Sequence, residues 1–589
     1  MTTRSEAYAD VRTTSSEVQG SDGKTYWVTN HIVQRYAQQG VAGKPKEYLV
    51  VWAGDENVAD TVASDAQDAE NEPGSPPHDP VNTVRNALPG PDFLAVIDVT
   101  KGSPAYGKVV NTATVGPLVE NEPHHMQYSW RKGDTVFAGG LFSAATYAFD
   151  VTDLPTVKLK GVSLPIDTPG GSVPDAFWVL KDRTAYGTYM GGPLLPGPYR
   201  YSDGSVRIGN GFAGAPGEVV YFDQNGKVLS ESPAATPEGG HAECQNLPML
   251  DNPTCANPHG IQAREDLNTM VTSDFVEPRT LVLDPVGPGD ELQSNLFRST
   301  VRTWDISDRN HPKVKSVSYL PDRPGSESKE PVHRESSAAM ECTVTNLPGH
   351  KGAFAQTMKG GAIFYAPDIT VADPQWRQVF DDGTANKHFN PSSDSRGAGT
   401  HGGWVQTSPD DRFLYHTMIG RPKGTLGPDD PGTAGGVYVL DISKLVNAGE
   451  HPKCNLSVQP EAEGGHGGPD CPTLVGAVGI NTNEPGKGPH FGTVDHFRLG
   501  ADGKYHDTDQ PGRLGVFNYF VARSGLDGSH QVFMINLGED GNVAVDEDFR
   551  DEFTNRVGVE FNRKVWPHGP FGNAKPHYGL FVVADKDVE

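Results

Sequence analysis

An apolar strand that ends in Asp and turns through a polar loop recurs about seven times along this chain of 589 residues. The copies read LAVIDVTKGSPAYGKVV around Asp98, TYAFDVTDLPTVKLKGV around Asp150 and VVYFDQNGKVLSES around Asp223. They continue as VRTWDISDRNHPKVKSV around Asp305, AIFYAPDITVADPQWRQV around Asp368 and GVYVLDISKLVNAGEHPK around Asp441, with a worn copy, QVFMINLGEDGNVAVDE, around Asn536. Each reads as a hairpin: β-branched and aromatic residues, a turn rich in Asp, Gly and Pro, then a second strand. Repeats of this length with about four strands each are what a β-propeller needs, because a lone blade cannot bury both of its faces. Seven copies predict an all-β, seven-bladed propeller.

A second apolar run precedes each hairpin: DTVFAGG, RTAYGTYM, NTMVTSDF, KGAFAQTM, DRFLYHTM and RLGVFNYFV, with YLVVWAG before the first hairpin. The last run, HYGLFVVAD, stands at the C-terminus and is expected to complete the first blade, closing the ring and removing free sheet edges. The competing reading is a β-sandwich with a second domain. The repeats run from residue 48 to 585 without a linker long enough to mark a boundary, so residues 1–589 are read as one domain with a propeller core of about 45–585. Low-complexity sequence is confined to an acidic insertion at 55–90 and to 459–470. The enlarged loops 55–90, 192–216, 236–258 and 383–400 are expected to cap one end of the channel and set selectivity.

The net charge of −26 argues against nucleic acid or an anionic membrane as partner. The N-terminal stretch MTTRSEAYADVRTT has no apolar core of the kind a signal peptide or anchor needs, so a cytoplasmic location is expected. Of the five cysteines, Cys244 and Cys255 share one loop, Cys454 and Cys471 share another, and Cys342 stands in a strand. Two disulfides would imply an oxidising compartment; without an export signal, free thiols are the expectation.

The histidines carry the chemistry. The innermost strand of a propeller blade starts beside the central axis, so residues there converge from all blades. Aligning blades on these strands selects Pro-His-His-Met at 123–126, Pro-Asp-Ala-Phe at 174–177, Pro-His-Gly-Ile at 258–261 and Met-Glu-Cys at 340–342. Thr-His-Gly-Gly-Trp at 400–404, Asp-His-Phe at 495–497 and Pro-His-Tyr-Gly at 576–579 complete the ring. The polar residue stands about twelve residues before the next strand, as from His124 to Val136 and from His259 to Val271. The predicted axial ring is therefore His124, Asp175, His259, Glu341, His401, His496 and His577, with His125 and His490 flanking it. Converging imidazoles suit a transition metal, and Asp175 and Glu341 would either ligate it, move protons, or orient a histidine through its second nitrogen. His259, His401 and His496 are expected to share one ion. His416, His388, His333 and His568 have no ring equivalence and are read as ordinary surface or loop residues. Trp404 and Trp178 are read as pocket lining or as core filling.

At these residues the chain resembles the selenium-binding protein family, which includes the methanethiol oxidases. GPDFLAVIDVTKGSPAYGKVV followed by HHMQYSW is similar to the family's opening, and NPHGIQAREDLNTMVTSDFVEP to its Met-[IV]-[ST]-[ST] strand, here Met270–Ser273. TVRTWDISDRNHPK, the Glu341 strand and SPDDRFLYHTM follow in the same order, so the resemblance spans roughly residues 45 to 585. It implies a seven-bladed propeller and a copper-linked oxidase that takes oxygen and a small thiol; iron and manganese stay as alternatives. The His-His pair corresponds to His124 and His125, the ring glutamate to Glu341, and the C-terminal histidine loosely to His577. The chain departs from the family where Pro174-Asp175 replaces a Pro-His, where His259, His401 and His496 stand at positions that often lack histidine, and in its missing cysteine-bearing ending. Two other readings stay open: a non-haem iron oxygenase held by a four-histidine set such as His124, His259, His401 and His577, on geometric analogy with the carotenoid- and stilbene-cleaving enzymes, and a non-catalytic binding scaffold.

Overall fold

The Asp that closes each repeat is the acceptor of its turn. Asp98, Asp150, Asp223, Asp305, Asp368 and Asp441 each take the backbone N–H two residues on, from Thr100, Thr152, Asn225, Ser307, Thr370 and Ser443, at 2.7–2.9 Å. The side chain thereby mimics a backbone turn and reverses the strand. In the worn copy Asn536 instead accepts Lys101 Nζ at 3.1 Å.

The computed structural model describes residues 8–56, 90–209, 211–236, 256–279, 297–322, 336–381, 385, 401–420, 435–456, 468–480, 488–521 and 528–589. These form seven antiparallel sheets arranged as a seven-bladed β-propeller. Blades 2 to 7 follow in chain order with inner strands Pro123–Met126, Ser172–Val179, Pro258–Arg264, Ala339–Val344, His401–Thr407 and Phe491–Val494. Blade 1 takes its inner strand, Ala574–Val583, from the C-terminus and its next three, Glu47–Asp55, Phe93–Asp98 and Val109–Gly116, from the N-terminal part. The expected closure therefore holds, with Tyr48 opposite Val582 and Leu49 opposite Phe581 in register. Every residue of Ala574–Val583 is buried.

Blade 1 also extends beyond the expected core boundary. The hairpin Val11–Gln19 and Thr25–Val33 adds two outer strands, pairing along Val109–Gly116. Asp55, assigned from sequence to the acidic insertion, ends the strand Glu47–Asp55 and is buried; residues 57–89 lie outside those described. So do most of 236–258 and 383–400, whereas 192–216 carries a small hairpin, Gly197–Arg200 with Val206–Gly209.

The cysteine expectation is corrected in one place. Cys454 and Cys471 form a disulfide between the third and fourth strands of blade 6, so these thiols are not free. Spacing alone carries no information on whether two side chains meet; here the connection within blade 6 packs against blade 5, where Leu456 N–H donates to the Gln378 carbonyl, and brings them together. Cys342 is a buried free thiol; Cys244 and Cys255 lie outside the described residues.

Candidate metal centre

The inner strands do not start as regular ladders. Pairing with the second strand slips between Pro123 and Met126, Pro174 and Phe177, Pro258 and Ile261, and Ala339 and Glu341. It slips again between His401 and Val405 and beside His577. A bulge frees a residue from the alternation of a strand and re-aims its side chain. A proline precedes His124, Asp175, His259, His490 and His577; lacking an N–H, it suits a position where regular pairing is interrupted. The result is that polar side chains from different blades point at one place.

Second-strand hydroxyls fix the bulges. Thr188 Oγ1 accepts from Ala176 N–H at 3.1 Å and donates to the His259 carbonyl of the next blade at 2.6 Å. Thr417 Oγ1 repeats the device, accepting from Trp404 N–H at 2.7 Å and donating to the His490 carbonyl at 3.2 Å. Ser273 Oγ donates to the Met340 carbonyl at 2.8 Å.

Two sets of candidate ligands result: His124, His125, Asp175 and His259, and His125, His490 and His577, all buried. Within each set the donor atoms lie within 4.8 Å of one another. Asp175 Oδ1 is 2.7 Å from His125 Nδ1 and 3.4 Å from His124 Nε2, and its Oδ2 is 3.4 Å from His259 Nε2. These contacts are close in distance yet lack hydrogen-bonding alignment, because His125 Nδ1, His259 Nε2 and both Asp175 oxygens have no hydrogen-bond partner. Donors sharing one ion at about 2.0–2.2 Å stand roughly 3 Å apart and point at the ion instead of at each other. The cluster is able to hold a metal ion on these grounds.

Electrostatics agree with that use. Burial, reinforced by neighbouring imidazoles, holds His124, His490 and His577 well below the ordinary histidine range. Burial does the same to His125 and, with Asp175 opposing it, lowers His259. Neutral imidazole is the ligating form. Burial raises the Asp175 carboxyl, with His259 and His124 opposing.

Glu341 stands one layer out. Its Oε1 is 3.1 Å from His259 Nδ1 and 3.9 Å from His125 Nδ1, and its Oε2 accepts from the Tyr128 hydroxyl at 2.7 Å. Tyr128 in turn accepts from Ile261 N–H at 3.2 Å. His259 thus turns Nε2 toward Asp175 and Nδ1 toward Glu341, the carboxylate–histidine order that orients a metal ligand. Burial pushes the Glu341 carboxyl well above its ordinary range.

Aromatic residues enclose the cluster. Phe491 lies 4.6 Å from the His125 ring and 4.1 Å from Tyr578, and Trp404 is 5.9 Å from Phe491. Phe275 lies 5.1 Å from His259, and Phe520 is 4.4 Å from His490. Phe275 and Phe520 belong to a buried apolar cluster with Phe297, Met340, Met358 and Ile419, drawn from blades 4 to 7.

Of the predicted ring, the structure brings together His124, Asp175, His259 and His577, with Glu341 behind His259, and the flanking His125 joins them. His496 is a correction. Its Nε2 lies 2.7 Å from the Trp130 carbonyl, past the far end of Phe491–Val494, six residues beyond the end that holds His490. At about 3.3 Å per residue a strand of this kind carries it to the other rim of the ring. The blade 7 histidine that joins the cluster is His490, a second-choice position from sequence although Pro489-His490 repeats the Pro-His signature. The shared site expected of His259, His401 and His496 is therefore not formed; the His401 side chain lies outside those described, and only its backbone is placed, opening the inner strand of blade 6. His416 is buried in a strand, with Nδ1 3.2 Å from the Trp404 carbonyl, and so is not a surface residue, whereas His568 is a half-buried turn residue 4.7 Å from Phe93, as expected of a loop position. His333 and His388 lie outside the described residues. Trp404 is buried against Phe491, and Trp178 is half-buried 6.1 Å from Tyr128.

No family model matches the chain, and no curated protein is significantly similar to it. Among solved structures, a hypothetical selenium-binding protein from Sulfolobus tokodaii superposes with a TM-score of 0.52 at 16% identity, covering 91% of this chain and 94% of that one. A periplasmic gluconolactonase from Pseudomonas aeruginosa gives 0.42 at 11% identity, covering 92% and 99%. At 16% identity the likeness to the first of these is one of fold alone.

Proposed function

We propose that the chain is a metal-dependent oxidase whose transition metal sits on the propeller axis and which takes oxygen and a small thiol or related reduced substrate. The observation that carries this reading is the set of buried donors without hydrogen-bond partners: both nitrogens of His125 and His259 and both oxygens of Asp175. Each such group costs on the order of 2–7 kcal/mol to bury unpaired, and coordination satisfies the carboxylate and one nitrogen of each imidazole together. His124, His125, Asp175 and His259 would hold the ion. Three imidazoles and one carboxylate suit copper, iron or manganese, and the sequence resemblance favours copper.

Such an ion supplies a Lewis-acidic, redox-active centre at which oxygen and a thiol can react. The chain's own residues do the rest. Glu341, whose Oε1 stands 3.1 Å from His259 Nδ1, would orient that imidazole and move protons beside the centre, and Tyr128 fixes Glu341 by its hydrogen bond. Thr188 holds the His259 backbone, and so the imidazole, in place. The apolar cluster around Phe275 and Phe520 excludes water and favours a small uncharged substrate.

The test is elemental analysis of protein purified without added metal, followed by oxygen uptake with methanethiol before and after copper or iron is supplied. Close to stoichiometric copper and thiol-dependent oxygen uptake are expected. Less than about a tenth of an equivalent of any transition metal, with no uptake restored by either metal, would overturn the reading.

A further inference from the structure

We infer that the axial site holds two metal ions bridged by His125, the second ligated by His490 and His577. The inference rests on the reading of the cluster as a metal centre and goes beyond it in number and arrangement. The candidate ligands fall into two sets, and His125 is the member common to both.

His125 Nδ1 belongs to the first set by its 2.7 Å approach to Asp175 Oδ1. Its Nε2 is equally buried and has no hydrogen-bond partner. The two nitrogens of an imidazole direct their lone pairs to different sides of the ring, so one imidazole can serve two ions but cannot chelate one. The second set adds His490 and His577. Their ring centroids are 4.9 Å apart and lie 5.6 and 5.1 Å from that of His125. Both nitrogens of each are buried and without a hydrogen-bond partner.

An ion seated among His124, His125, Asp175 and His259 leaves those two imidazoles unsatisfied. Ordinary structural histidines in the same fold behave differently: His496 meets the Trp130 carbonyl and His416 the Trp404 carbonyl. A second ion with His490, His577 and the remaining nitrogen of His125 as ligands satisfies one nitrogen of each of those two imidazoles and the last of His125. The bridge forms when His125 gives up its last N–H proton to solvent and that nitrogen takes the second ion; no electrons move.

The experiment is titration of the metal-free full-length chain with Cu2+, followed by dialysis, elemental analysis and integration of the electron paramagnetic resonance signal. Two equivalents per chain are expected, with integrated spin well below the copper content because two cupric ions joined through one imidazolate couple antiferromagnetically. His490→Ala is expected to retain one equivalent with full spin intensity. His577→Gln is expected to do the same and serves if the first variant fails to fold. Saturation at one equivalent in the unaltered chain would overturn the second site while leaving the mononuclear reading intact. Two equivalents with full, uncoupled spin would overturn the bridge. No bound copper would overturn the metal reading itself and this inference with it.

Discussion

Glu341 reaches the centre chiefly through His259, 3.1 Å away against 3.9 Å for His125, which makes it a positioning residue, and its removal separates orientation from ligation. Glu341→Gln keeps the shape and removes the ionisable group. Loss of such an outer partner costs about 10–100-fold in metal affinity, measurable by competition against a chelator; unchanged affinity would leave Glu341 as mere filling. The same variant has a stability signature. Burial raises the Glu341 carboxyl above its unfolded value, so its contribution is complete below the ordinary carboxylate range, near about pH 4, and is lost as pH rises through the raised value. The glutamine variant of the metal-free protein should therefore gain on the parent in urea midpoint as pH rises from 5 to 8. A variant midpoint that falls relative to the parent's over that range would contradict a buried, protonated Glu341.

At the scale of the element, the bulge and its threonine form one unit, and Thr417 is its cleanest probe. Thr417→Val leaves the Trp404 N–H without its acceptor and the His490 carbonyl without its donor, both buried. Unsatisfied groups of this kind cost about 1–3 kcal/mol, to be read from the urea midpoint, and His490 should hold its ion more weakly in the same sample. An unchanged midpoint and unchanged copper content would show that the bulge holds its shape without the hydroxyl. The disulfide is the other element-scale constraint: Cys454 and Cys471, 17 residues apart, close a loop of blade 6. Opening a loop of this size costs about 3 kcal/mol, so a reductant should lower the midpoint, and alkylation under native, non-reducing conditions should label neither cysteine. Much of this was legible beforehand. The Asp-ended repeat is visible because each Asp makes its own turn, and Pro-His is visible because proline interrupts pairing where the ligand must leave the ladder. His490 was ranked low for a physical reason. Blade 7 inserts a hairpin, Phe497–Leu499 with Tyr505–Asp507, before its second strand Arg513–Phe517, so the twelve-residue spacing that locates the ligand in other blades fails there. Glu341's contact with Tyr128 left no trace in spacing, since it depends on how blades meet, and the pairing of Cys454 with Cys471 depends on the path of one connection within blade 6.

The site exists only when the whole ring is closed. His577 lies on the C-terminal strand that pairs with the N-terminal Glu47–Asp55, while His124 and His125, His259 and His490 come from blades 2, 4 and 7. Folding thus gathers five neutral imidazoles that the open chain would leave in water, and this ties global stability to pH. Each has its pKa lowered by burial, so the unfolded chain binds protons that the folded, metal-free chain refuses. Their contribution is complete above the ordinary histidine value, about 6.5, and is lost as pH falls below it, each group weakening the fold by up to about 1.4 kcal/mol per pH unit. Asp175 and Glu341 act in the opposite sense, because their raised carboxyls take up protons in the folded state first. Five imidazoles against two carboxyls leave a net loss on acidification. The metal-free protein should therefore show a urea midpoint that falls steeply between pH 7 and pH 5. A midpoint that stays level or rises over that interval would mean that the axial histidines are protonated in the folded state, and neither the ligand assignment nor the bridged pair would survive it.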